Sequence, residues 1–183
     1  EEIANRVTKD PVVIKVDEKH DHDNITQHFY QVRDNEERLA AVRILLLEQR
    51  PESTVVFCNT KRECQEVADM LKHHGFFVLA LHGDLDQRDR DETLLRFSNK
   101  SESVLVATDV AARGLDIEAL DAVINYHIAR DPELHVHRIG RTGRAGSKGV
   151  AHSLFAAKEQ HKLNILEKFM GAPVHADALP KID

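Results

Sequence analysis

The stretch TVVFCNTKRECQEVADMLKHHG, residues 54–75, decides the fold. It opens with a short apolar run at 54–57, which is typical of a β-strand buried on both faces. The residues after it place Cys64, Val67, Ala68 and Leu71 at helical spacing on one side, and Gly75 is a typical helix stop. The stretch therefore predicts a buried strand followed by an amphipathic helix, the unit of a parallel sheet.

The same unit recurs on both sides of this stretch. We predict further strands at 25–32, 76–81, 103–107, 122–126 and 149–155, and helices at 36–48, 86–97, from Asp131-Pro132 onward and at 157–170. In the last helix, Leu163, Leu166 and Phe169 should point inward. This alternation predicts an α/β fold, a doubly wound parallel sheet with helices on both faces in a single domain at 25–170. Residues 1–24 are expected to be an N-terminal lead-in or interdomain linker, and 171–183 a tail or linker.

The composition excludes several classes of protein. The 183 residues include 25 Lys and Arg against 31 Asp and Glu, so the net charge is −6. With 42% hydrophobic residues the chain can close a core and is not disordered. No apolar run approaches the roughly 18 residues that cross a bilayer, and Glu1-Glu2 begins no signal peptide. The acidic balance argues, by itself, against a nucleic-acid protein, whose binding face should be basic.

Neither the cysteines nor the histidines indicate a metal site. Cys58 and Cys64 are too few for a disulfide framework, which favours a reducing, cytoplasmic location. No two cysteines have the spacing of a zinc knuckle. We expect the histidines to be solvated or hydrogen-bonded and no metal to be bound. This includes the closely spaced pairs His20/His22, His73/His74 and His135/His137.

The loops after the predicted strands should meet at one edge of the sheet, because the carboxyl ends of parallel strands lie together. Each carries polar residues that can bind an anion or simply cap the next helix. Thr60 suits either role. Arg88 and Arg90 oppose a helix dipole, which suggests an outside anion unless nearby aspartates pair with them. Thr108 can donate to a phosphate oxygen, and Asp116 can accept from ribose hydroxyls, with capping as the alternative.

The strongest local signal is HRIGRTGR at 137–144. Arg138, Arg141 and Arg144 recur every three residues among glycines, and no acid lies within residues 134–158. Arginine is always charged and binds phosphate through two donors, so this run should be favourable chiefly when a polyanion arrives. A solvated turn is the alternative interpretation.

Several phosphate-binding and catalytic motifs are missing from the sequence. It has no G-x-x-x-x-G-K-[ST] loop to cradle nucleotide phosphates, no G-x-G-x-x-G after the first strand and no G-x-S-x-G elbow. The chain thus offers hydrogen-bond donors and acceptors for a phosphate ligand but lacks the loop that would bind most of the phosphate oxygens. This describes half of a site.

Four segments resemble, in order and spacing, the motifs of the second RecA-like domain of DEAD-box RNA helicases. They are VVFCNT at 55–60, HGDLDQRDR at 82–90, ATDVAARGLDI at 107–117 and HRIGRTGR at 137–144. The resemblance covers about residues 25–170 and implies a RecA-like fold. The residues between the motifs are most similar to the bacterial DbpA subgroup.

The resemblance implies a role for each matching residue. Arg141 and Arg144 would be arginine fingers reaching the γ-phosphate of ATP, and His137 would contact the Asp-Glu-Ala-Asp motif of the other lobe. Asp116 would bind the ribose, and Gly114 would belong to the same ATP site. RNA would be bound by Asn59, Thr60, Arg62, Gly83, Gln87, Arg90 and Thr108.

The resemblance also implies an activity and its partners. The full-length protein would be an ATP-dependent RNA helicase, a monomer, with ATP and Mg²⁺ held mainly by an N-terminal lobe outside this chain, so that the fragment alone would not turn over. Its substrate would be ribosomal RNA, recognised by a further domain beyond residue 183. A non-catalytic RNA- or protein-binding module and a DNA-translocating helicase are the alternatives.

Overall fold

The computed structural model of the chain describes residues 12–13, 25–51, 53–83, 85–99, 103–112, 120–143 and 148–180. These residues form one eight-stranded sheet with helices on both faces. The predicted α/β class, with a parallel sheet covered by helices, is confirmed. Of the helices described, none combines the length and the hydrophobicity that crossing a bilayer requires.

The elements follow the predicted alternation closely. The strands are β1 Val12–Val13, β2 Ile25–Val32, β3 Thr54–Cys58, β4 Val78–Leu81, β5 Val104–Thr108, β6 Ala122–Asn125, β7 Gly149–Ala156 and β8 Ala176–Asp177. The helices are α1 Asn35–Gln49, α2 Lys61–His73, α3 Gln87–Ser98, α4 Asp109–Ala112, α5 Pro132–Ile139 and α6 Gln160–Met170, with a 3₁₀ turn at Ala157–Glu159 before α6.

The sheet order places β3 at the centre of the fold. The strands run β1-β2-β7-β6-β3-β5-β4, and β8 also pairs with β2. All pairings are parallel except that of β1 with β2. The chain passes from β5 to β6 across β3, so the loops after these three strands meet around one crevice. In such sheets this crevice is where ligands bind.

Alternate residues of the buried strands supply two separate cores. Val56 of β3 packs with α1 and α2 on one face of the sheet. Val55 and Phe57 point to the opposite face, where α3 and α4 lie. On that same face α6 buries Leu163 and Leu166 against β2 and β7. Burial on both faces explains why these strands read as continuous apolar runs.

The end of α6 corrects one prediction. Phe169 was expected to point inward, but its side chain is 52% exposed. The helix begins only at Gln160, after the 3₁₀ turn, and its buried side consists of Leu163 and Leu166. Phe169 follows Leu166 by three residues but Leu163 by six, so it lies to one side of this narrow stripe.

Both segments that flank residues 25–170 touch the sheet. Val12 and Val13 pair with Gln27 and Thr26, and β8 pairs with Phe29 and Tyr30. Short edge strands of this kind cover the outer side of β2, which would otherwise expose unpaired backbone groups. The boundaries of the domain stay a prediction.

Candidate functional site

An open cleft of about 550 Å³ lies at the carboxyl ends of β3 and β5, against α5. Phe57 forms part of its wall, and Asp109 follows β5 directly. His137, Arg138 and Arg141 line its other side. The structure therefore brings two of the predicted site residues, His137 and Arg141, into one cleft at the predicted edge of the sheet.

Helix α5 determines which of its side chains reach this cleft. Asp131 caps the helix by accepting from the backbone N–H of Leu134 at 3.0 Å, and Pro132 occupies the first turn. His137 is exposed, whereas His135, two residues earlier, is fully buried. The closely spaced histidines thus face opposite sides of the helix, as residues two apart must.

The buried histidine is hydrogen-bonded within the core. His135 Nε2 lies 2.7 Å from Gln27 Oε1, and the ring stacks on Phe29. Burial, reinforced by the nearby charge of Arg138, lowers the pKa of His135 to about 3. His135 is therefore neutral at physiological pH and ties α5 to β2.

Arg138 has a different role from the one its sequence neighbourhood suggests. Its side chain is only 1% exposed and forms a two-pronged ion pair with Asp109, at 2.8 and 2.7 Å. The same guanidinium donates to Asn59 Oδ1 at 2.8 Å and to the carbonyl of His127 at 3.0 Å, and it lies over the ring of Phe57. Arg138 thus holds together the ends of three strands and is unavailable to phosphate.

This pairing corrects the interpretation of the arginine run as three equivalent cations awaiting a polyanion. No acid is near Arg138 in the sequence, yet Asp109, 29 residues away, neutralises it. Arg141 differs because it lies beyond the end of α5, half-buried and lining the cleft. The two arginines of the cleft therefore differ in burial, because Arg138 is almost fully buried and Arg141 is half-buried.

The backbone around Arg141 is fixed by a close packing of loops. Its carbonyl accepts from the N–H of Leu120 at 3.0 Å, and the hydroxyl of Thr142 donates to the carbonyl of Leu120. Gly143 has φ +71°, and a Cβ on Gly149 would overlap the side chain of Thr142 and the backbone of Gly143. Gly143 of the motif and Gly149 at the start of β7 therefore allow the close turn that follows Arg141.

The predicted RNA-binding residues lie at the carboxyl ends of β3, β4 and β5 and in the first turns of α2 and α3, a region that we call the loop edge. Two of them cap helices: the hydroxyl of Thr60 accepts from the N–H of Glu63 at 3.1 Å, and that of Thr108 accepts from Ala111 at 3.3 Å. Arg90 donates to the carbonyl of Ala111 at 3.1 Å, which links α3 to α4. Capping, the alternative interpretation for both threonines, is therefore present in the structure.

The other predicted RNA-binding residues differ in how they are oriented. Asn59 uses its amide inside the protein, accepting from Arg138 and donating to the carbonyl of Ile128 at 3.4 Å. Arg62, Gly83 and Gln87 are exposed, and Gln87 also donates to Asp91 at 2.8 Å. These three residues are therefore accessible to solvent.

A buried polar cluster beside the loop edge was missed by the sequence analysis. His127 Nε2 lies 3.0 Å from Glu63, and its Nδ1 lies 3.2 Å from Glu159, which also accepts from the buried Arg38 at 2.9 Å. Burial opposes the charged ring, but the hydrogen bonds to Glu159 and Glu63 outweigh it and raise the pKa of His127.

The contacts of this cluster also lower the pKa of Glu159. Burial disfavours the ionised form of Glu159, but the hydrogen bonds from His127, the N–H of Ala156 and Arg38 lower its pKa to about 2. The cluster joins the start of α2, the end of β6 and the turn before α6. Nothing in the local sequence indicates it, because its members lie in separate elements.

Three predicted residues lie outside the described part of the chain: Gly114, Asp116 and Arg144. Their roles stay predictions. In the parts of the chain that the structure does describe, no three His, Cys, Asp or Glu side chains are grouped to hold a metal ion. The Asp109 carboxylate, which faces the cleft, is already bound by Arg138.

Residues 37–146 match the helicase conserved C-terminal domain. The match includes α5, the cleft and the whole loop edge. The chain belongs to the helicase C-terminal domain family, of the DEAD-box type. The fold and the family expected from the four motifs are therefore confirmed.

Known relatives and solved structures agree with this assignment. The chain is 51% identical, over 92% of its length, to the ATP-dependent RNA helicase DbpA of Escherichia coli. The E. coli DEAD-box protein SrmB, solved bound to the regulator RraA, superimposes with a TM-score of 0.78 at 35% identity, over 82% of this chain and 89% of that one. Dbp5 of S. cerevisiae, solved with RNA and ADP BeF3, gives 0.78 at 32% identity over 86% of this chain and 42% of that one.

The chain spans about a third of the length of the curated relatives that it matches, 36% in the case of DbpA. The helicase C-terminal domain is thus one part of a larger protein in those relatives.

Proposed function

We propose that this chain is the lobe of an ATP-dependent RNA helicase that supplies arginine fingers to ATP held by a second lobe. The observation that carries this proposal is the placement of Arg141 and His137 in one open cleft, next to the loop edge. Arg141 would stabilise negative charge on the transferred phosphoryl group, and Arg144 would assist it. His137, exposed on α5, would contact the other lobe.

The cleft fits half of a nucleotide site. Arg138, Arg141 and Phe57 line it together with the acidic Asp109, Asp131 and Glu133, and the sequence contains no phosphate-cradling loop. The Asp109 carboxylate is occupied by Arg138, which leaves it poorly suited to Mg²⁺. ATP and Mg²⁺ would therefore be held mainly by the N-terminal lobe, with Asp116 and Gly114 of this chain on the ribose side.

The loop edge would bind the backbone of single-stranded RNA. Arg62, Gly83 and Gln87 are exposed there, and Arg90, Thr60 and Thr108 hold the neighbouring helices in place. Contacts to phosphates carry no base information, so binding by this lobe would be independent of sequence. Asn59 would act through its hydrogen bond to Arg138.

The mechanism follows from the position of both sites at the carboxyl edge of one sheet. ATP and RNA would each bridge this lobe and its partner, and the lobes would close only when both ligands are present. Loss of the γ-phosphate after hydrolysis would remove the contact with Arg141 and reopen the lobes. We further propose a monomeric cytoplasmic protein acting on ribosomal RNA, in line with the similarity to DbpA.

The test is the RNA-stimulated ATPase activity of the parent protein with both lobes, compared with that of this chain alone. We expect turnover that depends on RNA from the two-lobed protein and none from the chain alone. ATP hydrolysis by the isolated chain would contradict the proposal that this chain supplies only half of the ATP site. Absence of turnover in the two-lobed protein, together with unimpaired RNA binding, would instead favour a non-catalytic binding module.

A further inference from the structure

A second groove, of about 480 Å³, runs along β4, the outermost strand at one end of the described sheet. The helices α2 and α3 pack on the two faces of β4 and form its walls. We call it the edge groove. The side chains of interest that line it are Gln65, Lys72, Phe76, Phe77, His82 and Arg96.

The edge groove differs in charge from the chain as a whole. The protein carries a net charge of −6, yet none of the described residues that line the groove is acidic. Lys72 lies in the last turn of α2 and Arg96 in the last turn of α3. Cations at the C-terminal ends of helices are also favoured by the helix dipole. The two charges alone therefore do not indicate a ligand, and the groove's other features are needed.

Phe77 is the feature that a purely structural account leaves unexplained. Its side chain is 76% exposed, the largest exposed fraction among the large hydrophobic residues of the described chain. The sequence predicts a strand from Phe76, but β4 begins only at Val78, so Phe77 lies just before the strand. An exposed aromatic ring in a groove that also carries Lys72 and Arg96 supplies the side-chain types that bind unpaired bases and their phosphates.

The edge groove is continuous with the loop edge. His82 follows β4 directly, lies 3.0 Å from Gln65 through its Nε2, and precedes the exposed Gly83. From His82 to Phe77 the extended chain spans five residues, about 16 Å. A single-stranded RNA that leaves the loop edge beside Gly83 can therefore follow β4 as far as Phe77.

We infer that the edge groove binds single-stranded RNA that continues beyond the inter-lobe cleft, with a base stacked on Phe77 and phosphates near Lys72 and Arg96. This inference rests on the proposed function and names a further part of the RNA path. Continuity with the loop edge and the lack of acidic lining residues favour RNA over an added peptide strand. The site extends affinity for longer RNA without adding base specificity.

The experiment measures RNA affinity as a function of length. The two-lobed protein, with a non-hydrolysable ATP analogue, is titrated with a fluorescent oligouridylate just long enough to fill the cleft, and with the same RNA extended at either end. We expect one extended series to bind more tightly. Phe77→Ala should weaken binding of that series by about five-fold or more and leave the short RNA unchanged. Lys72→Gln should reduce the salt dependence of the same series only.

The matched control is Phe169→Ala, because Phe169 is also an exposed phenylalanine but lies on α6, outside the groove. It should change neither series. Equal affinity of wild type and Phe77→Ala for every extended RNA would overturn the inference. Equal loss for short and extended RNA would overturn it too. Failure of the wild-type protein to bind even the short RNA would refute the proposed function, and this inference with it.

Discussion

Arg138 on α5 and Asp109 at the start of α4 form a two-pronged ion pair, with Nε–Oδ1 and Nη2–Oδ2 distances of 2.8 and 2.7 Å. The pair is largely buried, since the two side chains are 1% and 16% exposed. Because Arg138 also binds Asn59 and the carbonyl of His127, one guanidinium connects the loops after β3, β5 and β6. The shape of the candidate site depends on this contact.

Removal of the charge on Asp109 should therefore destabilise the lobe. Asp109→Asn leaves the buried guanidinium of Arg138 without a counter-ion, and we expect the free energy of unfolding to fall by about 3 kcal/mol. Urea unfolding of the chain, followed by circular dichroism, measures this change. Glu37→Gln is the matched control, because Glu37 pairs with the exposed Arg33 on the surface and its loss should have no measurable effect. Equal effects of the two variants would contradict the structural role of Arg138.

Arg141 should act on catalysis and not on folding. In the two-lobed protein, Arg141→Ala should reduce the rate of RNA-stimulated ATP hydrolysis by roughly 10³-fold or more, because an arginine finger stabilises the transition state. Arg141→Lys should not restore the rate, since lysine lacks the planar fork of donors. Steady-state ATPase assays measure both. Arg43→Ala, on α1, is the control, and unchanged hydrolysis by Arg141→Ala would refute the finger assignment.

The cluster around His127 should make stability depend on pH. The pKa of His127 is raised above its ordinary value of 6.5 in the folded protein, so its contribution is fully present below pH 6.5 and is lost as the pH rises through the folded pKa. Unfolding free energies measured across this range should fall more steeply in wild type than in His127→Gln. The exposed His73 supplies the control variant His73→Gln, which should keep the wild-type slope.

Glu159 should affect the unfolding free energy at acidic pH. Its pKa is lowered from 4.5 to about 2, so its contribution is present above pH 4.5 and is lost as the pH falls toward 2. Glu159→Gln should therefore flatten the loss of stability in this acidic range. A curve that coincides with that of wild type would contradict the role of the cluster.

Gly83 of the second motif and Gly149 at the start of β7 should respond differently to an added methyl group. Gly149→Ala forces a Cβ against Thr142 and Gly143, so we expect a loss of about 1–3 kcal/mol in unfolding free energy. Gly83→Ala meets no atom within 4 Å and should leave stability unchanged. In the two-lobed protein, however, Gly83→Ala should weaken RNA binding, because the added methyl group would keep the RNA backbone away from the protein backbone at this position. Thermal unfolding and RNA titration of both variants separate the two roles.

The fold was predictable because its determinants are local. Apolar runs such as 54–57 and helical spacing such as that of Cys64, Val67, Ala68 and Leu71 each depend on neighbours within one turn or one strand. Most element ends were predicted within one or two residues. The start of α6 is the exception, because a 3₁₀ turn occupies Ala157–Glu159. Burial was harder to predict near the ends of elements, since Phe77 and Phe169 are apolar but exposed.

The candidate site was only partly predictable. The loops that carry it could be named, because all strands of a parallel sheet end at the same edge. Which side chain in a loop is buried and which faces the cleft could not be derived. Thr60 and Thr108 suited both a cap and a phosphate contact by residue type, and the structure shows them as caps.

The sequence by itself determined the class of fold and the edge of the sheet that carries the candidate site. Only the tertiary structure decided that Arg138 is buried and bound by Asp109, whereas Arg141 in the same cleft is half-buried. The physical reason is that charge pairing and burial depend on distances in space. Residues 29 positions apart along the chain meet at 2.7 Å, whereas arginines three positions apart face different surroundings.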